Sequence, residues 1–155
     1  MIRRWNWKTL ISIVVLGCAA AAGWADSPIQ WRGSPGWEPE SAYCRLYDAH
    51  TVVTLTGTVQ RVEKVVPMKG MGDGVHLVLK TDKETIPVQL GPTWYVEKQP
   101  LQIHALDVVK VTGSRVSCDG KPVILAAVIK KGSDTATFRT LKGSPAWAGV
   151  PIQDR

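Results

Sequence analysis

The sequence predicts an all-β fold in which five strands close into a small barrel, with a short helical segment between strands three and four. Three observations predict this fold. Segments in which apolar and polar residues alternate, as in half-buried strands, recur between residues 51 and 131. Turns rich in glycine, proline and charged residues separate these segments. The stretch at 93–107 has no two-residue period, and it falls between the third and fourth strands.

The first strand, predicted over 51–66, carries the signs of strong curvature. Its apolar residues share one face as far as Val59, but the next apolar residue is Val62 rather than Arg61. A slip of one residue in the alternation indicates a β-bulge. Gly57, in the middle of the strand, indicates a sharp bend or a close approach by another backbone.

The remaining strands are shorter. Cys118-Asp119-Gly120 is a tight hairpin signal, and a helical turn is expected around Trp94–Lys98. A five-stranded Greek-key barrel of the OB type places its helix between strands three and four. We therefore expect an OB-like barrel over 51–132, with a five- or six-stranded sandwich as the alternative. The strands are predicted at 51–66, 75–80, 85–90, 108–116 and 121–131.

The segments that flank the barrel have no visible period. We predict an extended N-terminal arm over 26–50 and a C-terminal arm over 133–155. The first contains Gly33-Ser34-Pro35-Gly36-Trp37, and the second repeats the pattern in Gly143-Ser144-Pro145-Ala146-Trp147. The repeat reflects either turn composition alone or two arms that each lay a tryptophan onto the barrel and cover its edges.

The first 25 residues have the three parts of a secretory signal peptide. A basic start at Met1–Lys8 precedes an apolar run at Thr9–Ala22, and small residues precede a predicted cleavage between Ala25 and Asp26. The apolar run is shorter than the ~20 residues that span a bilayer. We therefore expect a periplasmic or secreted protein without a transmembrane segment after cleavage. Lipidation at Cys18 is the alternative.

Charge and composition narrow the classes of function. With 45% hydrophobic residues the chain can bury a core. After cleavage, 130 residues carry 16 positive and 13 negative charges, whereas nucleic-acid-binding domains are usually more one-sided. Ser114, His104 and Asp107 could form a nucleophile-and-base set, but no elbow motif surrounds the serine. We expect no enzyme, and nucleic acid is not the favoured partner.

Five short motifs occur in order along the barrel and its tail. They are GMGDGVHL at 70–77, KTDKET at 80–85, LGPTWY at 90–95, VTGSR at 111–115 and Gly143-x-Pro145-x-Trp147. Together they resemble a group of small exported bacterial proteins with an OB-like barrel, described as uncharacterised or as DNA-binding, and are similar to the periplasmic bacterial OB-fold family. The resemblance implies the fold and export, and no catalytic residues. In those proteins a histidine often stands where this chain has Gln89, so the resemblance gives that strand no ligand role.

Three groups of residues are candidates for binding or redox chemistry. Met68, Met71 and His76, within nine residues, could bind copper(I) or supply axial ligands to a haem, or could simply pack at the rim. The residues Trp94 and Tyr95 could stack on a flat ligand or plug the barrel. The residues Cys44 and Cys118 could form a disulfide, because strands one and four are neighbours in an OB barrel, or remain free thiols.

The sequence therefore favours a non-catalytic binding or accessory protein of the cell envelope. Its ligand, a soft metal or a small molecule, would bind at the loop between strands one and two. The alternative is a structural or assembly partner of an envelope redox or secretion complex. A nucleic-acid-binding barrel is the third hypothesis. The partner is an unidentified envelope protein or small ligand.

Overall fold

A computed structural model describes residues 34–149, and six β-strands in these residues form one sheet. One short helix, α1 (Thr93–Val96), follows the third strand, close to the predicted helical turn. The five long strands begin and end within two residues of the predicted bounds; the sixth is short and falls in the segment predicted as the C-terminal arm. The strands are β1 (Val52–Val65), β2 (Gly74–Lys80), β3 (Thr85–Pro92), β4 (Val108–Cys118), β5 (Lys121–Lys131) and β6 (Asp134–Thr137).

The sheet closes on itself. The strand order is β3-β2-β1-β4-β5-β6, with antiparallel pairing between neighbours. The outer strands β3 and β5 also pair in parallel, through Val88 with Ile124 and Gln89 with Leu125. This pairing closes β1 to β5 into a ring, which confirms the predicted OB-like barrel. The unpredicted strand β6 extends the sheet beyond β5.

The first strand turns the barrel by the two devices that its sequence indicates. Its pairing with β2 shifts register between Val59 and Arg61, which is the predicted bulge. Gly57 lies against the carbonyl of Lys80, and a β-carbon there would overlap that oxygen. The first half of β1 pairs with β4 and the second half with β2, so Thr58 faces a partner on each side.

The core fills the interior of the ring. Alternate residues of β2 and β3 point inward, as predicted, and each is almost fully buried. Burial of one such side chain stabilises the fold by about 1.5–3 kcal/mol. The inward residues of these two strands are Val75, Leu77, Leu79, Ile86, Val88 and Leu90, and the buried residues of β5 include Ile124, Leu125 and Ile129.

Trp37 and Trp147, from the two repeated motifs, meet in the core. Both are fully buried, and their rings pack edge to face with centroids 5.6 Å apart. Nε1 of Trp147 donates a hydrogen bond to the carbonyl oxygen of Trp37 at 2.8 Å. The rings lie against Gly74 and Gly91 at one end of the β2–β3 pair, where a β-carbon would overlap them. The segments predicted as arms therefore complete the core.

The predicted signal peptide, its predicted cleavage site between Ala25 and Asp26, and Cys18 lie outside the described residues, as does the part of the predicted N-terminal arm before Ser34. Within 34–149, no helix is long and apolar enough to cross a membrane.

Candidate functional site

Three polar side chains form a row across the outer face of the barrel. Glu63 of β1 lies directly opposite His76 of β2, which in turn lies directly opposite Gln89 of β3. The chain neighbours of His76 and Gln89 point into the core, so the alternation of a strand directs these residues outward. The bulge in β1 brings Glu63 onto this face, because it shifts the alternation by one residue. We call Glu63, His76 and Gln89 the polar row.

A histidine–carboxylate pair occupies half of the polar row. Nε2 of His76 and Oε2 of Glu63 are 2.7 Å apart, and the His76 side chain is only 16% exposed. Nε of Arg61 donates to the other carboxylate oxygen at 2.6 Å. Hydrogen bonds from His76 first, and from Arg61 second, lower the pKa of Glu63. The carboxylate is therefore charged at neutral pH, and it leaves one oxygen directed at the imidazole.

The third member of the polar row, Gln89, has a side-chain amide oxygen that accepts no hydrogen bond from residues 34–149. Gln89 is 7% exposed, and its Oε1 is buried without a hydrogen-bond partner among residues 34–149. A buried acceptor without a donor costs about 1–3 kcal/mol. The polar row therefore contains an imidazole, a carboxylate and an unsatisfied amide oxygen at one register position on three adjacent strands. Such a set can accept hydrogen bonds from a ligand or coordinate a cation.

The predicted soft-metal ligands have separate surroundings in the structure. Met68 and Met71, in the loop that joins β1 to β2, are partly buried against the core. Met71 also packs against Gly36 of the N-terminal segment. His76, the third predicted ligand, has the carboxylate of Glu63 as its partner. A shared site for copper or haem remains a prediction from the sequence.

The aromatic pair Trp94–Tyr95 joins the helix to the C-terminal segment. The Tyr95 ring lies 5.8 Å from the Trp147 ring, and its hydroxyl donates to the carbonyl of Thr137 at 3.1 Å. Burial raises the pKa of Tyr95. These contacts give Tyr95 a packing role, while stacking of either ring on a ligand remains a prediction.

The structure does not contain the predicted disulfide. Cys44 and Cys118 are both free, buried thiols. The sulfur of Cys44 lies 3.8 Å from the carbonyl oxygen of Trp37, and that of Cys118 lies 3.8 Å from the carbonyl oxygen of Pro67. Each sulfur is thus directed at a different backbone acceptor. Burial raises the pKa of Cys118, which keeps its thiol protonated.

Arg139, a buried arginine, is a feature that the sequence analysis missed. Its guanidinium lies 4.6 Å from the centroid of Trp147 and 5.8 Å from that of Tyr43. Nη1 donates to the carbonyl of Gly143, while Nε has no hydrogen-bond partner among the residues described. Cation–π contacts of this kind stabilise a desolvated cation by ~2 kcal/mol. Arg139 thus ties the C-terminal segment to the aromatic cluster, and nothing in its local sequence distinguishes it from a surface arginine.

The residues considered as a catalytic set are not brought together. The hydroxyl of Ser114 is buried and hydrogen-bonds to Thr51 and to the backbone of Asp48. Ser114 and Val108 are six residues apart on β4, or about 20 Å at the rise of a strand. His104 and Asp107 precede Val108, at the far end of the strand. The structure therefore supports no such triad.

Within residues 34–149, no group of three or more His, Cys, Asp or Glu side chains could hold a metal ion. The polar row has two residues of these types, and its third donor is an amide.

In a comparison with known families, the model of the MamS/MamX magnetosome protein family matches residues 51–136. No curated protein and no solved structure matches the chain. The family match covers β1 to β5, most of β6 and the whole polar row. Because it spans more than half of the sequence, the chain belongs to the MamS/MamX magnetosome protein family.

Proposed function

We propose that this protein is a non-catalytic accessory protein of the magnetosome system, exported to the periplasm, that binds a ligand at the polar row. The family supplies the cellular context. The three-part N-terminal sequence, which predicts a signal peptide, supports export. This site shares His76 with the site predicted from the sequence. It differs in its other donors, because the oxygens of Glu63 and Gln89 take the place of the thioethers of Met68 and Met71.

One observation carries this proposal: the unsatisfied Oε1 of Gln89 lies in register with the His76–Glu63 pair. A polar group buried only for packing is normally hydrogen-bonded. The cost of the unused acceptor is offset when a ligand supplies the missing partner. This arrangement favours a binding surface over a purely structural face.

Replacement of His76 in the host organism tests the proposal. We expect His76→Ala to impair magnetosome formation as strongly as deletion of the gene, because the polar row loses its central residue. His104→Ala is the matched control, since His104 also lies beside a carboxylate, that of Asp107, but outside the polar row. Both variants must be exported and show the melting temperature of the parent. Normal magnetosomes with His76→Ala would contradict the proposal.

Export has its own test. We expect the mature protein to begin at Asp26, which intact mass and N-terminal sequencing of the periplasmic fraction can establish. A mature chain that begins at a lipid-modified Cys18 would identify an anchored protein instead. A chain that retains Met1 in the cytoplasm would rule out export.

An assembly role is the second candidate, and the face formed by β1, β4 and β5 favours it. Lys110 lies directly opposite Lys130, a like-charge pair that destabilises a sheet. Val108 and Leu106 are both strongly exposed beside this face. Neither lysine has an ion-pair partner among residues 34–149. Exposed apolar residues next to such cations are typical of a surface that an acidic protein partner covers. We expect Lys130→Glu to stabilise the isolated barrel while weakening association with such a partner in pull-down from the envelope.

A further inference from the structure

We infer that the polar row is a metal site that binds one divalent transition-metal ion of the Zn²⁺, Fe²⁺ and Co²⁺ class. Nε2 of His76, a carboxylate oxygen of Glu63 and Oε1 of Gln89 are the protein ligands, and solvent completes the coordination. The inference rests on the proposed function, because it names the ligand class of the same site.

The geometry of adjacent strands allows the three donors to meet. Residues directly opposite on antiparallel strands have β-carbons about 4.5–5.5 Å apart. His76 lies on the middle strand, and the longer side chains of Glu63 and Gln89 flank it. Glu63 can reach the imidazole from the β1 side, and Gln89 can reach it from the β3 side. A metal at this position would therefore use one side chain from each of three paired strands.

The distance between two of the donors is already close to that of a metal site. Ligands in tetrahedral coordination at about 2.0–2.1 Å from an ion lie about 3.3 Å from one another. Nε2 of His76 and Oε2 of Glu63 are 2.7 Å apart. An opening of less than about 1 Å, within the range of side-chain rotation, admits an ion between them.

The donor types decide the class of ion. Imidazole with a carboxylate and a carbonyl oxygen suits borderline divalent ions, whereas copper(I) prefers thiolates and thioethers. The two thioethers nearest in sequence, Met68 and Met71, are packed against the core. Arg61 holds the second oxygen of Glu63 and so orients the carboxylate, as outer-shell groups do at metal sites.

Gln89 separates a metal site from an ordinary histidine–carboxylate pair. A surface pair needs no third partner, but here a buried oxygen with free lone pairs lies at the same register position. A bound cation would satisfy that oxygen and would exchange the hydrogen bond of His76 for coordination. In the metal-free protein the buried Oε1 of Gln89 is therefore without a partner, and a bound metal ion would supply one.

Titration of the purified exported protein with Co²⁺ and Zn²⁺ tests the inference. We expect one equivalent of Co²⁺ to bind with visible d–d absorption and Zn²⁺ to displace it, measured by spectroscopy and calorimetry. His76→Ala should abolish the absorption, and Glu63→Gln and Gln89→Leu should each weaken binding by more than the ~10–100-fold that loss of an outer-shell partner costs. His104→Ala and the double variant Met68→Leu with Met71→Leu should bind as the parent does.

Gln89→Leu provides a second measurement. It should raise the melting temperature of the metal-free protein, because it removes the unsatisfied oxygen, while it lowers the metal-induced rise in melting temperature.

Saturable binding that survives all three substitutions in the polar row would overturn the inference, as would binding that depends on the methionines. Absence of divalent-ion binding together with loss of magnetosomes in His76→Ala cells would overturn the metal site and retain the proposed function. Metal binding by the parent protein together with normal magnetosomes in His76→Ala cells would retain the metal site and overturn the proposed function.

Discussion

Leu106 is an exposed apolar residue held in a strained backbone conformation. Its φ of 73° lies in the left-handed region, and 82% of its surface is exposed. Its N–H donates to the carbonyl of Val59 at 2.7 Å, and the N–H of Val59 donates to the carbonyl of Asp107 at 2.8 Å. These two bonds pin the loop to β1 next to the bulge. A non-glycine residue in this conformation costs about 1–2 kcal/mol.

Replacement of Leu106 by glycine should therefore stabilise the protein. Glycine removes the steric cost at positive φ, and the gain exceeds its extra chain entropy of about 0.5–1 kcal/mol. We expect the melting temperature to rise by about 2–5 °C, measured by thermal unfolding. Leu141→Gly is the control, because Leu141 is also exposed but is absent from the residues of positive φ. A fall in melting temperature for Leu106→Gly would contradict the strain argument.

Gly91 lies at a position where the packing of Trp147 leaves no room for a side chain. A β-carbon there would lie 2.7 Å from the ring of Trp147, closer than real contacts allow. Gly91→Ala should displace that ring and cost about 1–3 kcal/mol, since overpacking a core is destabilising. Gly149→Ala is the control, because nothing lies within 4 Å of its added carbon. Chemical denaturation with tryptophan fluorescence measures both, and equal stabilities would contradict the packing seen here.

At the scale of elements, an ion pair links the β2–β3 turn to β4. The guanidinium of Arg115 donates to both carboxylate oxygens of Glu84. This contact lowers the pKa of Glu84 from 4.5 and raises that of Arg115. A lowered carboxylate pKa contributes stability above the unfolded value, near 4.5, and that contribution disappears as the pH falls through the folded pKa.

Glu84→Gln should therefore destabilise the protein in a pH-dependent way. We expect its melting temperature to lie below that of the parent at pH 7, and the difference to vanish well below pH 4.5, where the parent carboxylate is protonated. Thermal scans between pH 2 and pH 7 measure the difference. In the background of Arg115→Met, Glu84→Gln should have little effect at any pH. A constant difference across the pH range would show that the pair does not act through charge.

At the scale of the whole molecule, the C-terminal segment belongs to the fold. β6 extends the sheet, Phe138 and Trp147 are fully buried, and Arg139 lies among aromatic rings. The segment is therefore unsuitable for removal as a dispensable arm. Surface substitutions such as Lys130→Glu are the appropriate probes of an assembly role.

A chain that ends at Lys131 should consequently fail to fold cooperatively. Loss of one fully buried tryptophan or phenylalanine typically costs about 3–5 kcal/mol, a large part of the 5–15 kcal/mol that stabilises a domain. We expect no cooperative thermal transition for this truncation, whereas the full-length chain should melt cooperatively. Circular dichroism measures both. A cooperative transition in the shorter chain would show that the barrel folds without β6, Phe138 and Trp147.

Several features of the fold could be predicted because their causes are local. The alternation along β2 and β3 identified Leu77 and Val88 as inward residues, and the slip after Val59 identified the bulge. Asp119 and Gly120 both have positive φ, as the predicted tight hairpin requires. Each of these features depends on neighbours within a few residues.

The candidate site was only partly accessible to the same reasoning. The sequence predicts that His76 is a ligand that points away from the core, but it points to Met68 and Met71 of the adjacent loop as the other ligands. The phase shift at the bulge already places Glu63 on the outer face. Gln89 carried no signal, because its burial and its unused oxygen arise only when three strands assemble.

The sequence by itself therefore determined the all-β class, the positions of the five barrel strands, the inward-facing apolar residues of β2 and β3, and the β1 bulge. Only the tertiary structure decided which side chains meet: Glu63 with His76 and Gln89, and Trp37 with Trp147. It also directed the thiols of Cys44 and Cys118 to separate acceptors. The physical reason is that alternation and turn chemistry act over a few residues. Register and core packing instead depend on contacts between distant segments, such as the hydrogen bond between Trp37 and Trp147, which are 110 residues apart.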